Sequence, residues 1–509
     1  MKHFLKIYMW QGLSLLSGFA AMFIVTPFLS LNQSYFGIYT FVISLGLFLS
    51  YADFGFLSAG VKFASEAYAN KDRTEEVQIL GFVFFILFVV FAAFGLLVLF
   101  FAFNPQHVLK GLKDSSDRGV AQDMFVIFAT SLPILAAQRG IQLIFNLRLF
   151  DFLFQRVASV LNLVKIISAF YFFRDGHYQL IEFYIFSQLI TLLSVIIGSF
   201  IAKKEFDYDF TTLLKAIRYN PSIYKKTKSL AFNSLYVTIS WIIYYELDSL
   251  IVGRFVGLKE VAIFNICISV MTLARSFFGI IYNPFSAKFN HYIGRQQNTE
   301  LQEAFKKVLV FGLPLSVIPT AIILLTAKNF IYTWVGIRYA AAVPIVSFMF
   351  ASYFFTFLSS PTGIAMVAKQ QIKSLYLNST ILPIVYWTGI ALSFKYYGLL
   401  SFGVFKFVAV AVSGLLYFYY CNKMFEINWR AFFKKNVIPA CLTVILLIVI
   451  SHFVNPFLPT TKGKKEFALY AASICAYGIL GMTLYWSVAK EFQQTVKQVY
   501  VGLTSGKKR

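Results

Sequence analysis

Four basic side chains lie inside long apolar runs of the sequence: Arg139, Lys165, Arg275 and Lys406. After Arg139, the polar residues Gln142 and Asn146 follow at i+3 and i+7, which are positions on one helix face. An ionisable side chain in hydrocarbon is costly unless it has a partner or lines a wet cavity. Arg presents a planar fork that matches phosphate oxygens, and Lys presents a point charge. These polar stripes predict a hydrated, positively charged cavity that receives an anion.

Two carboxylates, Glu246 and Asp248, lie in the apolar stretch "ISWIIYYELDSLIVG" at 239–253. Helical spacing puts Asp248 on one stripe with Tyr244 and puts Glu246 on an apolar face, about 200° away. We therefore expect Asp248 and Tyr244 to face a water-filled cavity, although an interfacial structural role for Asp248 stays open. Glu246 is expected to pair with a neighbouring helix or to reach the outer interface.

A third acid, Asp53, lies in "SYADFGF" near the inner end of another apolar run. It is expected to pair with one of the four cations or to bind a coupling proton. Asp53 and Asp248 are thus the candidates for ion coupling or gating.

The elements that must position these residues are membrane-spanning helices. The chain is 59% hydrophobic and only 13% charged, whereas a soluble domain carries about 25% charged residues. Apolar runs long enough to cross a bilayer predict an all-α polytopic membrane protein with about fourteen spans. They are 7–30, 36–59, 79–103, 122–146, 156–173, 180–202, 229–253, 260–282, 304–327, 341–367, 375–394, 401–421, 436–453 and 467–488.

The formal net charge of +23 is distributed as in a membrane protein. Most of the Lys and Arg fall in loops that share one side with both termini, so the positive-inside rule places both termini in the cytoplasm. Basic loops beside an anionic membrane leaflet are common in membrane proteins. The positive charge is therefore explained without nucleic-acid binding. The four cysteines lie in or beside spans without CxxC spacing and are interpreted as packing residues.

The predicted domains follow from the longest hydrophilic interval and a weak internal repeat. Residues 203–228 carry seven basic residues and are interpreted as a cytoplasmic linker. "FGIYTFVIS" at 36–44 aligns with "VAIFNICIS" at 261–269. We therefore expect two pseudo-symmetric six-helix lobes, 1–202 and 229–421, followed by two helices and a cytoplasmic tail in 422–509. Duplicated halves are typical of transporters with a site between the repeats.

The chain contains no Walker A, HExxH or GxSxG motif, so no enzyme activity and no cofactor are expected. Nothing in the sequence has the spacing of a metal site.

Three segments of the sequence resemble the polysaccharide flippases of the MOP superfamily. They are the basic segment after the sixth span, "ELDSLIVGRFVGLKEVAIFN" in and after the seventh span, and "SYFGIYTFVISLGLFLSYADFGFLSAGVKFASE" around the second span. The resemblance implies a bacterial inner-membrane protein that moves undecaprenyl-diphosphate-linked oligosaccharide repeat units, such as those of O-antigen or capsule, to the periplasmic leaflet. It also implies alternating access, coupling to H⁺ or Na⁺, contact with membrane lipids, and polysaccharide polymerase and chain-length partners.

Two other functions stay open at this point. A multidrug or small-metabolite exporter of the same fold would favour acids and aromatic residues in its cavity, and the four intramembrane cations argue against it. A polytopic polysaccharide polymerase or ligase would be expected to have a long outer loop, whereas the longest predicted outer loop is only 104–121.

Overall fold

The structure is a computed structural model that describes residues 2–50, 55–112, 114–148, 150–174 and 177–505, without the side chains of 2–8, 11, 50, 69, 233, 234, 237, 283, 284, 287, 372 and 499–505. Every regular element in the described residues is helical. The α-helices are α1 (Lys2–Leu29), α2 (Gln33–Ser50), α3 (Phe56–Ala69), α4 (Arg73–Ala102), α5 (Ser115–Asn146), α6 (Asp151–Phe172), α7 (Leu180–Phe206), α8 (Phe210–Ala216), α9 (Pro221–Tyr245), α10 (Leu247–Phe255), α11 (Leu258–Gly294), α12 (Asn298–Trp334), α13 (Ala342–Ala351), α14 (Thr356–Ala368), α15 (Ile372–Tyr397), α16 (Leu400–Met424), α17 (Trp429–Phe432), α18 (Ile438–Val454), α19 (Lys464–Val488) and α20 (Lys490–Ser505).

Twelve helical segments in the described residues are long and apolar enough to cross a membrane. The prediction of an all-α polytopic membrane protein is therefore confirmed. The two remaining predicted spans, 36–59 and 229–253, are each divided between two helices. The first is shared by α2 and α3, and the second by α9 and α10. The predicted number of about fourteen is thus an approximation to twelve long helices and two interrupted ones.

Capping residues extend several helices beyond the predicted spans. Asp72 accepts a hydrogen bond from the Glu75 amide and starts α4. Asn220 accepts from the amides of Ser222 and Ile223, and the following Pro221 has no amide hydrogen to satisfy at a helix start. The predicted linker 203–228 is therefore largely helical, because it contains the end of α7, all of α8 and the first turns of α9.

The chain divides into two compact units, Met1–Asn265 and Ile266–Arg509. The division falls within α11, so α9 and α10 belong to the first unit. The predicted lobes, 1–202 and 229–421, were defined by an internal sequence repeat. The two compact units do not test that repeat, so this domain assignment stays a prediction.

In the first unit, α4 packs against α3, α5 and α8, while α6 packs against α1 and α7. Glycines allow close approach at several of these contacts. A Cβ on Gly81 would lie 2.4 Å from the Ala216 carbonyl oxygen, so α8 lies directly on the backbone of α4. Large apolar side chains such as Phe100 and Ile167 are exposed on the outer surface, as expected for helices that face lipid.

In the second unit, α12 is a central helix that packs against α13, α14, α18 and α19. Polar contacts fix the last two spans to it. The Thr326 hydroxyl lies 3.0 Å from the Tyr470 hydroxyl, and Asn455 Nδ2 donates to the Leu325 carbonyl at 2.9 Å. In a hydrocarbon environment such contacts satisfy polar groups that lipid cannot satisfy, so α18 and α19 are specifically attached to α12.

Candidate substrate-binding residues

Arg139, Gln142 and Asn146 lie on α5 and are each half-buried. The Arg139 guanidinium carbon is 6.0 Å from the centre of the Phe91 ring on α4, a distance at the outer limit of a cation–π contact. Because α5 is continuous from Ser115 to Asn146, the three side chains share a face as predicted from their spacing.

Lys165 lies on α6 and is half-buried. Its Nζ is 6.0 Å from the centre of the Phe183 ring on α7. No carboxylate oxygen among the described side chains lies within 4.0 Å of this ammonium. One turn earlier, Asn162 Nδ2 donates to Ser17 Oγ on α1 at 3.4 Å. Lys165 is thus a partly buried cation with an aromatic neighbour and no carboxylate partner in the described part of the chain.

Arg275 lies in the second unit, on α11, and is half-buried. The adjacent turns of this helix are fixed by Tyr353. The Tyr353 hydroxyl donates to the Met271 carbonyl at 2.7 Å, and its ring stacks on Phe278 with centroids 5.1 Å apart. The helix that carries Arg275 is therefore held in place on both sides of the residue.

Lys406 lies on α16 and has 0% of its surface exposed. Its Nζ is 4.2 Å from the centre of the Tyr386 ring on α15, which is a close cation–π contact. In this structure α15 lies over the face that carries Lys406, so the side chain is buried, and its predicted place in a hydrated cavity stays a prediction. Helical spacing identifies a face but cannot show which neighbouring helix covers it.

The polar face of α16 continues beyond Lys406. Two turns later, Ser413 Oγ donates to Asn378 Oδ1 on α15 at 2.7 Å, and Asn378 Nδ2 donates to the Tyr417 hydroxyl at 3.0 Å. Ser413 follows Lys406 by seven residues and therefore lies on the same side of α16. This side is a buried polar contact with α15.

The two acids of the seventh predicted span lie where α9 ends and α10 begins. Glu246 has φ −111° and ψ −21° and separates the two helices. Asp248, in the first turn of α10, is 0% exposed, and Tyr244 is 1% exposed, whereas Glu246 is half-buried. Asp248 and Tyr244 are thus buried in this structure, and their predicted position beside a water-filled cavity stays a prediction.

Asp53 lies outside the described residues. In unit one the neighbours of Arg139 and Lys165 are on different helices, α4 and α7. Arg275 and Lys406 lie on α11 and α16 of unit two. Among the described residues, no three His, Cys, Asp or Glu side chains are grouped as metal ligands would be.

A buried ion pair in the first unit was not predicted. Arg148 Nη2 lies 2.5 Å from Glu76 Oε1, with side chains 2% and 1% exposed. Arg73 Nη1 lies 3.3 Å from the other oxygen of Glu76. The Arg148 guanidinium carbon is also 4.8 Å and 5.2 Å from the rings of Tyr68 and Tyr208. This Glu76–Arg148 cluster joins the loops after α3, α5 and α7.

Replacing the two acids near the α9–α10 break tests their separate roles. We expect Asp248→Asn to lower transport at least about tenfold, because it removes the charge of a fully buried carboxylate. Glu246→Gln should lower transport less than about twofold, since Glu246 is partly accessible to solvent. The measurement is the initial transport rate in vesicles at matched amounts of folded protein. Equal losses in both variants would contradict separate roles.

No protein-family model matches the chain, and no curated protein matches it. Solved structures do resemble it. A lipid II flippase MurJ in an inward closed conformation superposes with a TM-score of 0.68 at 16% identity, covering 97% of this chain and 99% of that one. An inward-facing multidrug resistance MATE family transporter of the MOP superfamily gives a TM-score of 0.62 at 14% identity, covering 79% and 94%.

A third similar structure is a MOP-superfamily transporter from Pyrococcus furiosus Vc1 (DSM3638), for which a reverse polarity of the binding pocket suggests a different function. It gives a TM-score of 0.54 at 13% identity and covers 83% of this chain and 95% of that one. At these identities the likeness concerns the fold. The chain has the same fold as these three solved structures.

Proposed function

We propose that this protein is a flippase that moves undecaprenyl-diphosphate-linked oligosaccharide repeat units from the cytoplasmic to the periplasmic leaflet of the bacterial inner membrane. It works by alternating access, coupled to an H⁺ or Na⁺ gradient. Both termini are cytoplasmic, and polysaccharide polymerase and chain-length proteins are the expected partners. The proposed binding residues are Arg139, Gln142, Asn146, Lys165 and Tyr244 of the first unit and Arg275 and Lys406 of the second, and Asp248 and Asp53 are the residues proposed for ion coupling or gating.

One observation carries the proposal. Lys165 is a half-buried ammonium in an apolar helix, and the described side chains provide no carboxylate within 4.0 Å of it. Keeping such a charge in a membrane helix is costly, so its retention points to an anion that binds there. A diphosphate headgroup supplies that charge, and hydrocarbon surroundings strengthen the contact.

The extent of the fold likeness supports a lipid-linked substrate. The similarity to the lipid II flippase covers 97% of this chain, whereas that to the MATE transporter covers 79%. A multidrug exporter remains the second candidate because of the latter likeness. Its cationic drugs would be repelled by Lys165, and this is why we favour the anionic substrate.

Purified protein in vesicles separates the two candidates. A fluorescent undecaprenyl-diphosphate oligosaccharide is placed in one leaflet, and its loss of access to a membrane-impermeant quencher is followed. We expect the wild-type protein to move this lipid and to leave ethidium uptake at the protein-free level. Ethidium transport without lipid movement would overturn the proposal.

The same assay tests the remaining half-buried cations. Arg139→Ala and Arg275→Ala are expected to abolish lipid movement while the amount of folded protein stays the same, since each removes one cation proposed to bind the diphosphate. Normal movement in both variants would remove the case for a cationic binding site.

A further inference from the structure

The end of the second unit that is predicted to face outward carries basic residues on two adjacent segments. Arg338 lies in the 3₁₀ turn Ile337–Tyr339 after α12. Lys462 precedes α19, and Lys464 and Lys465 are the first two residues of that helix. All four basic residues are exposed, and we call them the outer basic cluster. Because Lys and Arg normally concentrate on the cytoplasmic side of a membrane protein, membrane insertion does not account for a cluster at this end.

The two segments that carry the outer basic cluster are fixed to the body of the second unit. Asn329 Nδ2 of α12 donates to the carbonyls of Leu458 and Pro459 at 3.4 Å and 3.3 Å, which attaches the loop before α19. The turn that carries Arg338 is attached through Tyr339, which is 0% exposed. Buried contacts therefore determine where both groups of cations lie.

The two segments meet at Gly336. Its φ of 99° lies in the left-handed region that favours glycine. A Cβ there would lie 3.3 Å from Lys462 Cδ, so the stem of Lys462 packs on the backbone beside Arg338. Partial desolvation and the positive charge of Arg338 both lower the pKa of Lys462. Two cations that repel each other are thus held close together by fixed segments.

The segments 335–341 and 455–466 contain one acid, Glu466. A Cβ on Gly463 would collide with Glu466 Oε2, so this carboxylate lies back against the start of α19. There it interacts favourably with the partial positive charge of the helix N-terminus. Lys464 and Lys465 lie in the same first turn, where cations are unfavourable. One carboxylate does not balance four cations, so this end of the unit keeps a positive potential.

Large apolar side chains border the outer basic cluster. Ile337, next to Arg338, is 70% exposed, Phe457 is 86% exposed, and Leu469 of α19 is 59% exposed. Cations beside exposed apolar side chains are typical of the membrane interface, where the charges reach the headgroups and the apolar groups contact the acyl chains. A ligand that matches both parts has a phosphate in the headgroup layer and apolar chains next to it.

We propose that the outer basic cluster binds the phosphate of an anionic phospholipid in the outer leaflet of the membrane. Arg338 and Lys462 contact the phosphate, the first as a planar fork and the second as a point charge. The acyl chains lie along Ile337 and Phe457. The bound phosphate offsets the repulsion between the two cations. The outer leaflet follows from the predicted topology, and the proposal is independent of the substrate that the protein transports.

Quenching by brominated lipids tests this preference. A bimane fluorophore on Ile337→Cys, with the four native cysteines replaced by alanine, reports the lipid beside Arg338 in vesicles that contain brominated phosphatidylglycerol or brominated phosphatidylcholine. From the dependence of quenching on lipid mole fraction, we expect phosphatidylglycerol to be preferred about 5- to 30-fold, because each Lys or Arg near the surface contributes about fivefold. Arg338→Gln and Lys462→Gln should each lower the preference about fivefold, and the double variant should remove it.

Two controls make the quenching result specific. Lys395→Gln removes another exposed lysine of the second unit, near the end of α15, and should leave the preference at Ile337→Cys unchanged. A fluorophore on Leu415→Cys, which is 71% exposed on α16, should be quenched equally by both lipids. Equal quenching by both lipids at Ile337→Cys, or an undiminished preference in the double variant, would overturn the proposal.

Two further measurements identify the lipid and the leaflet. Mass spectrometry of lipids that copurify with the protein in mild detergent should find phosphatidylglycerol with the wild type and less of it with Arg338→Gln/Lys462→Gln. Loss of an undecaprenyl-linked lipid instead would assign the cluster to the transported lipid and overturn the phospholipid assignment. In spheroplasts, Ile337→Cys should react with an impermeant maleimide, and reaction only after lysis would overturn the outer-leaflet assignment. None of these measurements depends on transport, so their failure would leave the proposed function standing.

Discussion

Replacing Lys165 with methionine is expected to lower the proposed transport of a lipid-linked oligosaccharide about 10- to 100-fold. A hydrogen bond to a charged group contributes about 1.5–3 kcal/mol, and each 1.4 kcal/mol changes an equilibrium about tenfold. Lys165 is half-buried, and its ammonium has the Phe183 ring at 6.0 Å. Methionine fills a similar volume, so the helix contacts of α6 should persist while the charge is lost.

Two variants make this result specific. Lys165→Arg keeps the charge and should retain measurable transport, although the planar guanidinium binds phosphate in a different geometry. Lys328→Met removes an exposed lysine of α12, whose ammonium lies 5.7 Å from the Tyr332 ring, and it should transport at the wild-type rate. Wild-type transport by Lys165→Met would show that no anion depends on this charge.

The spans could be predicted from the sequence because apolar length and helical period are local properties. The predicted span 79–103 lies within α4, Arg73–Ala102, except for its last residue. The helix begins earlier because Asp72 caps it and the first turns are polar. The interruption at Glu246 could not be predicted, because nothing in "IIYYELDSL" is a strong helix breaker.

The degree to which each candidate residue is buried could not be predicted from the sequence, for a related reason. Lys406 and Ser413 share a face, as their spacing indicates, yet Lys406 is fully buried because Tyr386 of α15 lies over it. Lys165, with the same residue type and a similar sequence setting, stays half-buried. The difference is set by which helix covers the face, and spacing within one helix contains no information on that.

The Glu76–Arg148 cluster shows what topology could have added. Glu76 and Arg148 are 72 residues apart, so no rule based on spacing within one helix detects this pair. The third and fourth predicted spans are antiparallel neighbours, however. The start of the former and the end of the latter therefore lie on the same side of the membrane. Glu76 lies at the start of the third span and Arg148 at the end of the fourth. They are therefore opposite charges at the same depth in the membrane.

Replacing Glu76 with glutamine is expected to destabilise the protein by about 3–5 kcal/mol, because it leaves a buried guanidinium without its carboxylate. Arg148 is 2% exposed in its side chain, so water cannot take over the lost interaction. The aromatic rings of Tyr68 and Tyr208 remain beside it and offset only part of the loss. The measurement is the temperature at which the detergent-purified protein loses its monodisperse form.

The neighbouring residue provides the matched control. Glu75→Gln removes an ion pair whose side chains are 36% and 37% exposed, and such pairs contribute about 0.2–1 kcal/mol. It should lower the melting temperature much less than Glu76→Gln. The double variant Glu76→Gln/Arg148→Met should be more stable than Glu76→Gln alone, because it removes the uncompensated charge. Equal melting temperatures for Glu75→Gln and Glu76→Gln would mean that burial of the pair contributes nothing, and the cluster would then not be what joins the loops after α3, α5 and α7.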